Sequence, residues 1–206
     1  MMKEAMHPYE SLSMSSVGIV VGIYLVAMHA WMLAKPEQSQ GILKKLPRNH
    51  NAGIYTMAIG LIWFWLLVAP DLRGPFSWLG KLSMDLGEFN FLKRYLQIAV
   101  PLVCFGLITQ VREFLFVRGL GVIALMVAAP ILDAAFLKEP GSRLLLSIFA
   151  YALLTKGMFW IGMPYTFRDA VAWATKTQGR WKGLAAGGLA YGILVLAFSF
   201  TAWRGF

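Results

Sequence analysis

Six long apolar segments occupy more than half of this 206-residue chain and constrain its fold more than any other feature. A helix needs about 20 residues, at about 1.5 Å each, to cross a hydrocarbon layer of about 30 Å. The apolar segments that reach or approach this length cover residues 17–34, 53–70, 95–111, 116–137, 143–164 and 183–203. The predicted fold class is therefore an all-α integral membrane protein with six transmembrane helices, forming a single domain over residues 1–206.

The composition agrees with a bilayer as the solvent. Hydrophobic residues make up 58% of the chain and charged residues 14%, whereas about a quarter of the residues in a soluble domain are charged. The net charge of +9 could also suggest a nucleic acid, but the basic residues lie between apolar segments, where they would flank lipid headgroups. Tryptophans such as Trp181 and Trp203 fall near predicted span ends, as interfacial anchors do. We therefore predict the lipid bilayer as a partner, expect bound lipids, and predict no nucleic-acid binding.

The basic residues also predict an orientation. The densest cluster, formed by Lys44, Lys45 and Arg48, directly precedes the second span. Such clusters favour the cytoplasmic side of a membrane. The first span lacks a convincing cleavage site and is expected to be retained. These features predict a protein of the bacterial cytoplasmic (inner) membrane with both termini outside.

The polar connection between the second and third spans contains a further periodic pattern. Its apolar residues recur at helical spacing and are Phe76, Leu79, Leu82, Leu86 and Phe89. This pattern predicts an amphipathic interfacial helix over residues 76–92, which either covers the ends of the spans or docks a lipid or a partner. A weaker pattern of the same kind occupies residues 167–174.

Glycines recur four positions apart in the first and last spans. They are Gly18, Gly22, Gly183, Gly187, Gly188 and Gly192. Small residues at this spacing let helix backbones approach closely and pack by dispersion. The first and last spans are therefore predicted to be packing helices, and whether they pack within this chain or against another subunit is open at this point.

Lys156 lies inside the fifth apolar segment, between Arg143 and Pro164 and near the predicted mid-plane. A lysine ammonium at that depth costs a few kcal/mol unless it faces protein or water. We expect a partner on the fourth span. Asp133 lies too close to the end of that span to match the depth of Lys156.

The carbonyl of Met126 is the better candidate partner, because Pro130 has no N–H to donate to it. Met126 also matches Lys156 in depth. We therefore expect Lys156, joined by Thr155, to donate to backbone acceptors around Met126. Functionally, Lys156 and Asp133 could belong to an ion, proton or anionic-ligand pathway, whereas structurally they could be a snorkelling lysine and a partly hydrated carboxylate.

His29 and His50 lie toward the same side of the predicted bundle. Two imidazoles on adjacent helices could bind a b-type haem or a chlorin. However, His50 lies in a polar loop that needs no metal to explain it, so interfacial hydrogen bonding is the competing interpretation.

Motifs of common enzymes are absent from the sequence, which contains no Gly-x-Ser-x-Gly, no His-Glu-x-x-His and no phosphate-binding glycine loop. Cys104 is the single cysteine, which excludes an intramolecular disulfide and a multi-cysteine metal site. No catalytic residue or metal ligand is therefore predicted, and an enzyme is disfavoured.

The leading interpretation is a structural or accessory multi-pass subunit of a larger membrane complex, with other membrane subunits as partners. A haem- or pigment-binding anchor of an electron-transfer complex is one alternative. A small transporter or channel that uses Lys156 and Asp133 is the other.

Overall fold

The computed structural model describes residues 7–9, 11–68, 80, 82–111 and 113–206. Within them, six helices are long and apolar enough to cross a membrane. They are α1 (Met14–Ala34), α3 (His50–Val68), α4 (Lys93–Gln110), α5 (Leu115–Ala135), α6 (Leu144–Gly162) and α8 (Gln178–Phe200). Two shorter helices, α2 (Pro36–Lys45) and α7 (Tyr165–Ala174), follow α1 and α6. The prediction of six long apolar helices is confirmed, and it indicates a membrane-embedded protein.

Local sequence explains several of the helix ends. The Ser13 hydroxyl caps α1 by accepting from the Ser16 amide, and Thr177 caps α8 in the same way through the Arg180 amide. Helix α2 begins with Pro36 at its first position, where the missing N–H costs nothing. Each cap satisfies a backbone group that the helix itself leaves unpaired.

Helices α1 and α8 form an antiparallel pair that runs the length of the bundle. At one end the Met14 amide donates to the Phe206 carbonyl at 2.9 Å. At the other end the Trp181 indole donates to the Met32 carbonyl at 3.1 Å. We call the first end the terminal side and the second, where α2 lies, the α2 side.

Helix α5 occupies the centre, packing on α3, α6 and α1, while α4 packs mainly on α3 at the edge. Glycines permit the closest approaches: a Cβ at Gly121 would lie 2.8 Å from the Gly157 carbonyl of α6. On the α3 side, a Cβ at Gly119 would lie 2.6 Å from the Thr56 hydroxyl. Backbone contact of this kind replaces the hydrophobic driving force that membrane helices lack.

Two apolar clusters hold the bundle together. The cluster on the terminal side joins α1, α5, α6 and α8 through residues such as Val21, Ile131 and Leu146. The cluster on the α2 side centres on Phe116, Val117 and Phe167, which brings the start of α5 against α7.

The connection before α4 departs from the predicted interfacial helix over residues 76–92. Residues 76–79 and 81 lie outside the described residues. Ser83–Leu86 are not helical, and a 3₁₀ helix spans Gly87–Leu92 before α4 begins. The prediction is therefore wrong over its central residues. The weaker pattern at 167–174, by contrast, corresponds to α7.

Polar side chains explain that departure. The Asp85 carboxylate accepts from the Gly87 amide and from the Asn90 side-chain NH₂, and the Leu86 amide donates to the Asn90 side-chain oxygen Oδ1. Gly87 adopts a φ of +58°, which a helix does not contain and which glycine adopts without strain. Side-chain bonds to nearby backbone thus outcompete the helix that the apolar spacing favours.

Candidate functional site

A groove of about 570 Å³ on the α2 side contains a charged residue. Helices α6, α7 and α8 form most of it, with the last turn of α1 and Leu43 of α2 at one end. Trp160 and Phe167 meet edge to face in its wall, with ring centroids 5.3 Å apart. The groove is thus apolar and aromatic, and it lies where α7 folds back against the bundle.

Lys156 is the one charged side chain among the described residues that line this groove. It lies six residues before the end of α6, so its Cα is roughly 9 Å from that end. The long aliphatic stem of lysine allows the ammonium to extend toward the membrane surface from such a depth. Lys156 is thus closer to the α2 side than its predicted mid-plane position.

The expected bond from Lys156 to the Met126 carbonyl is not formed among the described residues. Helix α6 turns Gly157, not Lys156, toward α5, because the two backbones meet at Gly121. Lys156 is exposed on the groove side of α6 instead. Thr155 is exposed as well, and its hydroxyl donates to the Tyr151 carbonyl one turn earlier.

Further positive charge lies around the rim of the groove. The Arg180 guanidinium lies 5.1 Å from the ring centroid of Trp173, which lines the groove. Lys176 and Lys182 are exposed nearby in sequence on the same side of the bundle. The carboxylate of Asp169, on α7, is already paired with Arg168 at 2.9 Å. The balance of charge at the rim is therefore positive.

Asp133 lies far from this groove. It is two residues before the end of α5 on the terminal side, whereas Lys156 is near the α2 side. One carboxylate oxygen of Asp133 is buried and has no hydrogen-bond partner among the described residues. The structure therefore does not bring Lys156 and Asp133 into one polar pathway.

The histidines occupy separate environments. The His29 ring lies against Gly188 of α8, and its Nδ1 is hydrogen-bonded to the Leu25 carbonyl at 2.7 Å. His50 is exposed at the first residue of α3. His29 is thus a residue of the α1–α8 contact, and His50 is a residue of the surface.

The six predicted packing glycines divide into two groups. Gly18, Gly22, Gly188 and Gly192 lie in the α1–α8 contact, where a Cβ would collide with the opposite helix. At Gly183 and Gly187, by contrast, no described atom lies within 4 Å of a Cβ, and the same holds at Gly179 one turn earlier. One face of α8 therefore packs inside the chain and a second glycine face points away from it.

Some stabilising residues were not expected from the sequence. Arg118 donates to the Ile161 carbonyl at 2.6 Å and joins the start of α5 to the end of α6. Trp181 and Trp203 are 2% and 0% exposed, and Trp203 donates to the Ser142 hydroxyl, so both tie helices together instead of anchoring in headgroups. The apolar pattern does not predict α2 either, although Pro36 at its start and Lys44 and Lys45 in its last turn are helix-end signals.

Comparison with protein-family models, with curated proteins and with solved structures finds no match for this chain.

Proposed function

We propose that this protein is a structural or accessory subunit of a larger membrane assembly, and that it docks a helix of another membrane protein on α8. The observation that carries the proposal is the outward glycine face formed by Gly179, Gly183 and Gly187. Ala186 and Ala190 are exposed on the same helix and extend the small-residue surface.

A glycine in a helix is unfavourable by roughly 0.5–1 kcal/mol relative to alanine. At Gly22 and Gly192 this cost is offset by close packing against the opposite helix of the α1–α8 pair. Gly183 and Gly187 have no such contact among the described residues. A helix from another subunit, approaching as closely as α1 approaches the other face, would supply it.

Helix α4 offers a useful contrast, since its outer surface is also unpartnered but is built differently. It exposes large side chains, which are Tyr95, Ile98, Leu102, Val103 and Phe105. Bulky apolar side chains suit contact with mobile lipid chains, whereas a flat glycine face suits another backbone. The contrast favours α8 over α4 as the docking helix.

The two alternatives have less support from the geometry. A haem or chlorin anchor requires imidazoles that face each other, and His29 is engaged with Gly188 and Leu25. A transporter pathway through Lys156 and Asp133 requires polar groups that follow one another across the bilayer, and these two lie toward opposite sides.

Native mass spectrometry after extraction in mild detergent from the protein's own membrane tests the proposal. We expect the wild-type chain to carry additional polypeptide mass, and Gly183→Leu to lose it while the chain remains folded. Gly106→Leu is the matched control, because Gly106 on α4 also has no described atom within 4 Å of its Cβ.

Retention of the partner by Gly183→Leu, or its equal loss from Gly106→Leu, would refute docking on α8. A wild-type chain that is extracted alone but carries a haem or pigment mass would favour the electron-transfer anchor instead. A wild-type complex made only of copies of this chain would identify the docked helix as its own.

A further inference from the structure

The groove on the α2 side contains a charged side chain, Lys156, that the proposed role as a subunit does not explain. Lys156 is roughly 9 Å inside the end of α6 and makes no hydrogen bond or ion pair with any described residue. An ammonium that faces lipid hydrocarbon is costly by several kcal/mol. Extension of the lysine stem toward the membrane surface lowers that cost, and an anion bound in the groove would lower it further.

The shape of the groove suits an apolar chain. Its walls are formed by Trp160 of α6, Val171 of α7 and Trp181 of α8. It is open at Phe159 and Leu184, which are exposed and would contact lipid in a membrane-embedded bundle. Its volume of about 570 Å³ lies within the range of about 300–1,000 Å³ that is usual for small-molecule sites.

The charges around the groove favour a negatively charged ligand. No acidic residue is among the described residues that line it. Lys156 lies within it, and Arg180 lies at the rim against Trp173. Basic clusters beside an apolar surface are typical of sites for anionic lipid headgroups.

We propose that this groove binds one anionic phospholipid from the leaflet on the α2 side. The headgroup phosphate lies between the Lys156 ammonium and the rim, and one acyl chain lies between α6 and α8 against Trp160 and Leu184. Charge-assisted bonds to phosphate are about twice as strong as neutral hydrogen bonds, so Lys156 accounts for the selectivity and the aromatic wall for the apolar contact.

Lipid titration monitored by native mass spectrometry tests the proposal on the delipidated full-length chain. The probes are phosphatidylglycerol and phosphatidylcholine with identical acyl chains, so only the headgroup charge differs. We expect one phosphatidylglycerol molecule to bind more tightly than all further molecules, and we call its position the first site. Phosphatidylcholine should show no site of this affinity. Lys156→Gln should weaken that first site about tenfold, and Lys156→Arg should retain it.

Two further variants separate charge from shape. Lys45→Gln removes the same charge from the same side, at an exposed residue of α2 that does not line the groove, and it should leave the first site intact. Leu184→Trp keeps every charge but fills the groove, and it should weaken the site as well. Helical circular dichroism and an unchanged elution volume show that each variant is folded.

Three results would overturn the proposal. They are equal binding of the two lipids by the wild-type chain, an unchanged first site in Lys156→Gln, and displacement of the lipid by inorganic phosphate alone. The last result would mean that the groove binds free phosphate, because an acyl chain would not then contribute. Resistance to inorganic phosphate supports a lipid.

Discussion

The imidazole of His29 on α1 fills the space that a side chain at Gly188 on α8 would need, since a Cβ there would collide with Nε2. The ring is held in place by the bond between its Nδ1 and the Leu25 carbonyl, at 2.7 Å. Histidine and glycine are therefore complementary parts of one helix contact. The same contact explains why two adjacent glycines, Gly187 and Gly188, have different roles.

Gly188→Ala should destabilise the protein by about 1–3 kcal/mol, because the added methyl group overpacks the α1–α8 contact. Equilibrium unfolding in mixed detergent micelles measures the change. In a His29→Ala background the same substitution should cost much less, and the double-mutant cycle gives the coupling between the two positions.

The control for this prediction is Gly187→Ala, which adds the same methyl group to the open face. It should be neutral or stabilising by up to about 1 kcal/mol, since alanine is the better helix former. Equal destabilisation by both substitutions would contradict the assigned role of His29.

Arg118→Met should destabilise the packing of α5 on α6 by about 1.5–3 kcal/mol, because it removes the charge-assisted bond to the Ile161 carbonyl. The same unfolding measurement applies. The control is Arg168→Met, whose ion pair with Asp169 is solvent-exposed and should contribute about 0–1 kcal/mol. A smaller effect at Arg118 than at Arg168 would show that the carbonyl bond does not stabilise the fold.

The turn that contains Asp85 should open in acid. Hydrogen bonds from the Asn90 side chain and the Gly87 amide lower the pKa of Asp85 below its ordinary value. A lowered pKa means that the carboxylate stabilises the turn above the unfolded pKa, about 3.9, and that this stabilisation is lost as the pH falls through the folded pKa. NMR titration of the Gly87 and Leu86 amide shifts measures the transition.

Asp85→Asn provides the control for that titration, because it removes the ionisable group and keeps a side-chain acceptor. The two amides should then show no transition in the acidic range. A transition of equal size in this variant would assign the pH dependence to another group.

The long helices could be predicted from the sequence because the information that specifies them is local. A run of about 20 apolar residues must satisfy its own backbone in lipid, and a helix does so within the run itself. The departure before α4 also has a local cause, but there the local hydrogen bonds oppose a helix. There Asp85 and Asn90 bond to nearby backbone, and apolar spacing alone does not reveal that competition.

The candidate site was only partly predictable. The sequence marked Lys156 as anomalous, since charge inside an apolar segment is visible without a structure. The residues around Lys156 could not be predicted in the same way. The partner expected at Met126 depends on which side of α6 faces α5. That rotation is set by the contact of Gly121 with Gly157, which lie far apart in the sequence.

Six apolar helices, their approximate ends and the residues that are costly in lipid can be predicted from the sequence, because each of these is a property of a contiguous segment. Packing between helices, by contrast, places Gly188 against His29 while Gly187 faces outward, and places Lys156 in an aromatic groove with α7 and α8. The physical reason is that rotation and pairing of helices follow from contacts between distant residues. The sides of α1, α3, α6 and α8 are similarly apolar, so periodicity along these helices does not specify which side is buried.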